Sequence, residues 1–300
     1  GKLDRLMKVN IDPNSGFCFG VIKAVETAEE HLQRGHELLG LGEMVHNEAE
    51  LERLENLGLK TVSIEQFPDL KGKAVLLRAH GEPPSTYRIA AENSVQLIDA
   101  TCPIVKRLQE EMKKAWQSGK DQGVQMIIFG KPLHAEAIGL NGQVDNNGII
   151  VENLDDLQTI DARRPAHLFS QTTMDAGKFE KIAEKLREMY TETGQNLIIH
   201  KSFCRQVSNR MKSIKEFAAS VDVLFFVASK NSSNGKVLYQ TAQSINERTF
   251  FISGIQDIDF QKIGIDWGKV ETIGISGATS TPPWLMHEIA RLIENAFDLT

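Results

Sequence analysis

Cysteine is scarce in this chain: there are three in 300 residues, at positions 18, 102 and 204. The number is odd and no two form a C-x-x-C pair, which argues against a disulfide framework. Taken singly, a free cysteine is usually a small buried hydrophobe. Positive charge is also short, with 34 Lys and Arg against 40 Asp and Glu and a net charge of -6. Phosphate backbones favour a basic surface, so no nucleic-acid partner is expected. No apolar run approaches the roughly 18 residues of a membrane span, so no membrane association is expected. The opening residues show no secretory pattern, and a cytoplasmic location is expected, with Met7 as the natural start and "GKLDRL" an addition before it. Neither G-x-x-x-x-G-K-S/T nor G-x-G-x-x-G occurs, so the usual modes of nucleotide binding are not indicated. There is no linker rich in Pro, Gly or Ser and no low-complexity segment.

What is present is a steady alternation of strand and helix patterns. The chain is 41% hydrophobic and 25% charged, enough apolar material for a real core. "MKVNID", "ELLGLG", "KAVLLRAHG", "VQLIDATCP", "VQMIIFG", "PAHLFSQTT", "NLIIHKSFC", "DVLFFVASKNSSN", "RTFFISG" and "VETIGISGATS" read as strands. Between them run helical stripes: Val21, Val25, Ala28 and Leu32; Ile104, Leu108, Met112 and Trp116; Phe179, Ile182, Leu186 and Tyr190; Val207, Met211, Ile214 and Ala218. Such alternation predicts an α/β fold of mostly parallel sheets covered by helices. The cysteines lie 84 and 102 residues apart, each where a strand ends and a helix begins. This spacing predicts three similar α/β units packed around a shared centre: 7–101 carrying Cys18, 102–200 carrying Cys102 and 201–300 carrying Cys204.

Strand ends are where open α/β sheets bind ligands. A helix N-terminus presents unbonded N–H groups and partial positive charge, which favour the metal-binding thiolate. Three such turns facing one centre would offer three thiolates. Structural zinc would need a fourth protein ligand, whereas a 4Fe–4S cluster would keep one iron open. The other strand ends supply hydrogen-bonding side chains in succession: His46, His80, His134 with Glu136, Thr172 with Thr173, Ser232, Ser233 and Asn234, then Thr279 and Ser280. One such residue alone is usually a helix cap. The series can hold a phosphate group without much lysine.

Nine segments, "SGFCFGV", "GEMVHN", "RAHG", "ATCPIVKR", "GKPLHAEAIG", "SQTT", "FCRQVSNR", "SKNSSN" and "SGATSTP", together resemble the 4-hydroxy-3-methylbut-2-enyl diphosphate reductase family, in order and from about Met7 to the final helix. The resemblance implies three α/β units in a trefoil around a central iron–sulfur site. It implies a two-electron reductive dehydroxylation of that diphosphate to isopentenyl and dimethylallyl diphosphates, the last step of the methylerythritol phosphate route. It makes Cys18, Cys102 and Cys204 the ligands of one 4Fe–4S cluster with one open iron. His46, His80, His134, Ser232, Ser233, Asn234 and Ser280 would bind the diphosphate. Glu136 would donate the proton, and Thr172 or Thr173 would orient the substrate hydroxyl. No flavin or nicotinamide motif is present, so the electrons would come from an external donor such as a ferredoxin or flavodoxin. The chain departs from the family pattern at three places. Ala135 replaces a common proline. Glu82 stands where an apolar residue is usual, and its charge, if turned inward, would disturb His80. "GATSTP" is one residue longer than usual, leaving Thr279 and Ser280 as alternatives. Two other classes fit the cysteines: a non-redox iron–sulfur dehydratase, told apart by an electron requirement, and a non-enzymatic iron–sulfur or zinc sensor, which would not need the polar strand ends and whose zinc form would be colourless rather than brown.

Overall fold

The structure is a computed structural model and describes residues 7–299. The expectation about the start of the chain lies outside these residues. Among them, twelve strands form three four-stranded, wholly parallel sheets with one shared topology. In one sheet β2 (Leu39–Leu41), β3 (Lys60–Val62), β4 (Ala74–Leu77) and β5 (Gln96–Asp99) take the order β3-β2-β4-β5. In another β6 (Gln125–Phe129), β7 (Ile149–Val151), β8 (Ala166–Ser170) and β9 (Leu197–Ile199) take the order β7-β6-β8-β9. The third repeats the pattern with β10 (Val223–Val227), β11 (Thr249–Ile252) and β12 (Thr272–Gly277), but its fourth strand is β1 (Lys8–Ile11), paired in parallel with β12.

The last pairing differs from the division by chain position. Residues 7–101 were expected to form one unit, yet the strand leading to Cys18 completes the sheet of β10, β11 and β12. The alternating pattern of "KVNI" suits the edge position it takes, where one side needs no strand partner. Central strands read differently. "QMIIF" and "VLFFV" are buried at every residue because sheet neighbours and helices cover them on all sides.

Among the described residues, nine α-helices cover the sheets: α1 (Phe19–Gln33), α2 (Glu48–Asn56), α3 (Pro84–Glu92), α4 (Pro103–Gly119), α5 (Ala135–Gly142), α6 (Ala176–Thr193), α7 (Arg205–Ser220), α8 (Ser233–Ile245) and α9 (Pro283–Ala296). Alternate residues of a strand serve opposite faces. Ile127 and Phe129 therefore pack with Phe179, Ile182 and Leu186 of α6, while Met126 and Ile128 pack with Leu108 and Met112 of α4 and Leu140 of α5. Likewise Phe225 meets Ile289 and Ile293 of α9, and Phe226 meets Ile214 of α7 and Leu238 of α8. One expected stripe is shifted. Ile104, in the first turn of α4, is exposed, and the buried row begins at Val105 and continues through Leu108, Gln109 and Met112.

Contacts group the described residues into two compact units. One holds the chain up to Ile22, Val45–Leu57 and the chain from Asn209, with the β1-β12-β10-β11 sheet; the other holds Lys23–Met44 and Gly58–Ser208, with the other two sheets. No described helix is long and apolar enough to cross a membrane.

Candidate active site

Each cysteine occupies the same place in its sheet topology. β1, β5 and β9 are the fourth strands, and each is followed by a turn that opens a helix at a cysteine. The carbonyls of Cys18, Cys102 and Cys204 accept the first helical bonds, from the N–H groups of Ile22, Lys106 and Ser208 at 3.0, 2.9 and 2.9 Å. Their own N–H groups donate to the carbonyls of Thr279, Ala79 and Thr172 at 3.2, 3.0 and 2.7 Å. Each acceptor lies two residues beyond the end of the neighbouring strand, β12, β4 or β8. The three backbones are thus tied by one repeated pair of bonds that does not use the sulfur. None of the three cysteines is in a disulfide, and each is half-buried. Three thiols outside any disulfide, on helix-opening turns and with no fourth cysteine in the chain, suit soft iron–sulfur ligation.

In the unit of Gly58–Ser208, Glu136 and Thr172 meet. Glu136 is 1% exposed, in the first turn of α5. Its Oε1 accepts from the Thr172 N–H at 2.6 Å and its Oε2 from the Thr172 hydroxyl at 2.9 Å. Burial pushes the Glu136 pKa up to about 7, against the lowering effect of both Thr172 bonds. Thr173 is engaged elsewhere, its hydroxyl accepting from the Gln171 amide at 2.8 Å. The same Thr172 carbonyl receives the Cys204 N–H, so acid, hydroxyl and thiol turn are joined through one residue.

His134 caps α5: its Nδ1 accepts from the Glu136 N–H at 3.1 Å, which places the proton of the neutral ring on Nε2. The His80 ring lies edge-on to it at 5.1 Å between centroids. Gly81, next in the chain, has φ +83°, and a Cβ there would sit 2.6 Å from Gln109 Nε2, so the turn holding His80 requires glycine. Glu82 is buried and accepts from the Thr86 hydroxyl at 2.9 Å, with Arg78 at 3.9 Å. Burial raises its pKa, opposed by Thr86 and Arg78. The charge expected to disturb His80 therefore has partners of its own.

In the other unit, Ser232 is the N-cap of α8 and accepts from the Gly235 N–H at 3.0 Å; its hydroxyl lies 3.5 Å from that of Ser280. The capping role that the sequence suggests for such serines is therefore real here, and Ser232 keeps its own proton to donate. Ser233 is exposed at the first helical position. Asn234 Oδ1 accepts from both the N–H and the hydroxyl of Thr279, at 3.0 and 3.2 Å. Thr279 thus anchors Asn234, while Ser280 stands beside Ser232. His46 precedes Asn47, whose side chain caps α2.

Several site-shaping residues carry no signature in the sequence. Asp99 Oδ1 accepts from the N–H and hydroxyl of Thr101, and Oδ2 from Tyr87 and Lys106, which fixes the turn before Cys102. Burial alone would raise its pKa, yet these bonds hold it below the ordinary value. Asp12, at the head of the turn to Cys18, is buried and accepts from the Ser276 hydroxyl at 2.9 Å.

A family model described as LytB protein matches residues 9–294. The 4-hydroxy-3-methylbut-2-enyl diphosphate reductase of Bacteroides fragilis is 44% identical over 289 residues, spanning 96% of this chain and 98% of that protein. Its counterpart in Parabacteroides distasonis is 44% identical over 285 residues, 95% of this chain and 97% of the relative. Among solved structures, the E-1-hydroxy-2-methyl-but-2-enyl-4-diphosphate reductase of Plasmodium falciparum superposes with a TM-score of 0.81 at 26% identity, covering 96% of this chain and 88% of that one.

Proposed function

The chain belongs to the LytB protein family, and from that premise we infer that it reduces 4-hydroxy-3-methylbut-2-enyl diphosphate to isopentenyl and dimethylallyl diphosphates, the final step of the methylerythritol phosphate pathway. It is an iron–sulfur oxidoreductase. Three equivalent thiol turns support Cys18, Cys102 and Cys204 as joint ligands of a 4Fe–4S cluster. When bound, such a cluster supplies electrons singly and a Lewis-acidic iron for C–O cleavage. The electrons reach it from an external donor of the ferredoxin or flavodoxin kind.

The chain's own residues bind the diphosphate and manage the proton. Removing a hydroxyl with two electrons consumes two protons, one leaving with the oxygen as water and one ending on carbon. Hydroxide leaves poorly, so the first proton must arrive with bond cleavage. Glu136 holds that proton at Oε2, and Thr172 Oγ1, 2.9 Å away, orients the substrate hydroxyl to receive it. The Glu136–Thr172 pair is the observation that carries this reading, because a buried carboxyl with a pKa near 7 is an acid poised for neutral pH. Diphosphate binding falls to donors at strand ends: Nε2–H of His134, with His80 and His46, the hydroxyls of Ser232, Ser233 and Ser280, and the amide of Asn234. Anaerobic turnover with a low-potential reductant, read as formation of both diphosphate products, tests the reaction. Iron and sulfide content tests the cofactor.

The donors differ in what they should cost. Asn234→Ala is expected to weaken substrate binding by about 1–3 kcal/mol, the range for a hydrogen bond to a charged group. Ser232→Ala should do the same and also lower stability by about 0.5–2 kcal/mol, because the α8 cap is lost. Substrate affinity by calorimetry and a thermal melt separate the two effects. Unchanged affinity in both variants would reduce the "KNSSN" turn to a helix cap.

A further inference from the structure

We propose that Glu50 and Trp284 are positioning residues for the diphosphate pocket: their hydrogen bond fixes the turn carrying His46 to the start of α9, which follows the turn carrying Ser280. The proposal rests on the reading of His46 as a diphosphate ligand.

Glu50 is a carboxylate with no exposed surface. It stands three residues after Asn47, the N-cap of α2, whose side chain accepts from the Glu50 N–H at 3.1 Å. An acid at this position often bonds back to the cap's own N–H. Here both its oxygens go elsewhere. Oε1 is taken by the Arg53 guanidinium, and Oε2 accepts from the Trp284 indole N–H at 2.7 Å. Trp284 is the second residue of α9, four residues after Ser280. Ala49 packs into the apolar cluster formed with Leu285, Met286 and Ile289 of the same helix.

These contacts explain an otherwise odd grouping. Residues Val45–Leu57 belong with the chain from Asn209, although Lys23–Met44 and the chain from Gly58 on either side belong to the other unit. α2 is short, and polar on much of its surface, so apolar packing alone gives it little orientation. A buried charged acceptor with a directional indole donor supplies it. A carboxylate so buried must keep its donors, since leaving one oxygen unbonded is costly. His46 lies one residue before the cap, so the direction of the first turn sets where its ring points.

Trp284→Phe removes the donor and keeps the aromatic bulk; Glu50→Gln keeps an oxygen acceptor but not the charge. In both, KM for the diphosphate substrate is expected to rise, roughly tenfold in Trp284→Phe and less in Glu50→Gln, with kcat and cluster absorption near those of the parent enzyme. Binding of inorganic pyrophosphate to the holoenzyme should weaken in parallel. A lower melting temperature with unchanged KM and pyrophosphate affinity in both variants would make the bond merely structural and overturn the proposal. His46→Ala is the control. If it raises KM while Trp284→Phe does not, the positioning role fails and the diphosphate reading stands. If His46→Ala leaves KM and pyrophosphate binding unchanged, that reading of His46 fails and the positioning role falls with it.

Discussion

Serine at any one of positions 18, 102 or 204 is expected to leave a folded protein without its cluster and without turnover, a loss of more than about a hundredfold. Metal-site partners that do not touch the metal already cost 10–100-fold, and a direct ligand should cost more. The substitution exchanges a soft sulfur ligand for a hard hydroxyl, a poor ligand for iron in a cluster. Folding should survive, because the bonds anchoring each turn run through its backbone N–H and carbonyl. The effect should be alike at all three sites, since the bonding pattern is alike. Iron and sulfide content of protein purified without oxygen, beside far-ultraviolet circular dichroism, is the measurement. A variant with full iron content and normal turnover would remove that cysteine from the ligand set.

Glu136→Gln should keep the cluster and most of the substrate affinity but lower turnover by roughly a hundredfold or more, as expected for a lost general acid. Glutamine preserves size, and its amide carbonyl can still accept from Thr172, but it has no carboxyl proton to give. The pH dependence follows from the raised pKa. Glu136 must be protonated to act, so kcat should be highest below about pH 7 and fall as pH rises through that value. The variant should lack this limb. Stability carries the same sign. The folded protein keeps a proton that the unfolded chain releases near the ordinary value of 4.5. The resulting stabilisation is full below that value and lost as pH rises through about 7. Glu136→Gln should therefore flatten the fall in denaturation midpoint across the interval. Near-normal turnover with an unchanged pH profile would move the proton source to another group.

Much of this molecule is legible in the order of its residues. The apolar runs of β6 and β10 and the stripes of α6 and α7 declare buried strands and amphipathic helices, because burial periodicity belongs to one segment at a time. The position of each thiol at a helix start is equally local. The three-residue strands β3 and β7 escape such reading, being too short to show a period. Partners distant in the chain escape it too. Nothing in "KVNI" says that it pairs with β12 rather than with β2, since an edge strand needs only one neighbour and any apolar strand could provide it. Neighbouring residues with like chemistry are indistinguishable until the backbone turns one of them inward. Thr172 faces Glu136 while Thr173 faces Gln171, and Thr279 holds Asn234 while Ser280 stands by Ser232. Glu82 and Glu50 show the same division: composition puts a carboxylate there, but only packing decides that Thr86 and Trp284 complete its hydrogen bonds. Local sequence determines what a segment can bury, and tertiary structure decides which polar group meets which, because that choice is made by elements far apart in the chain.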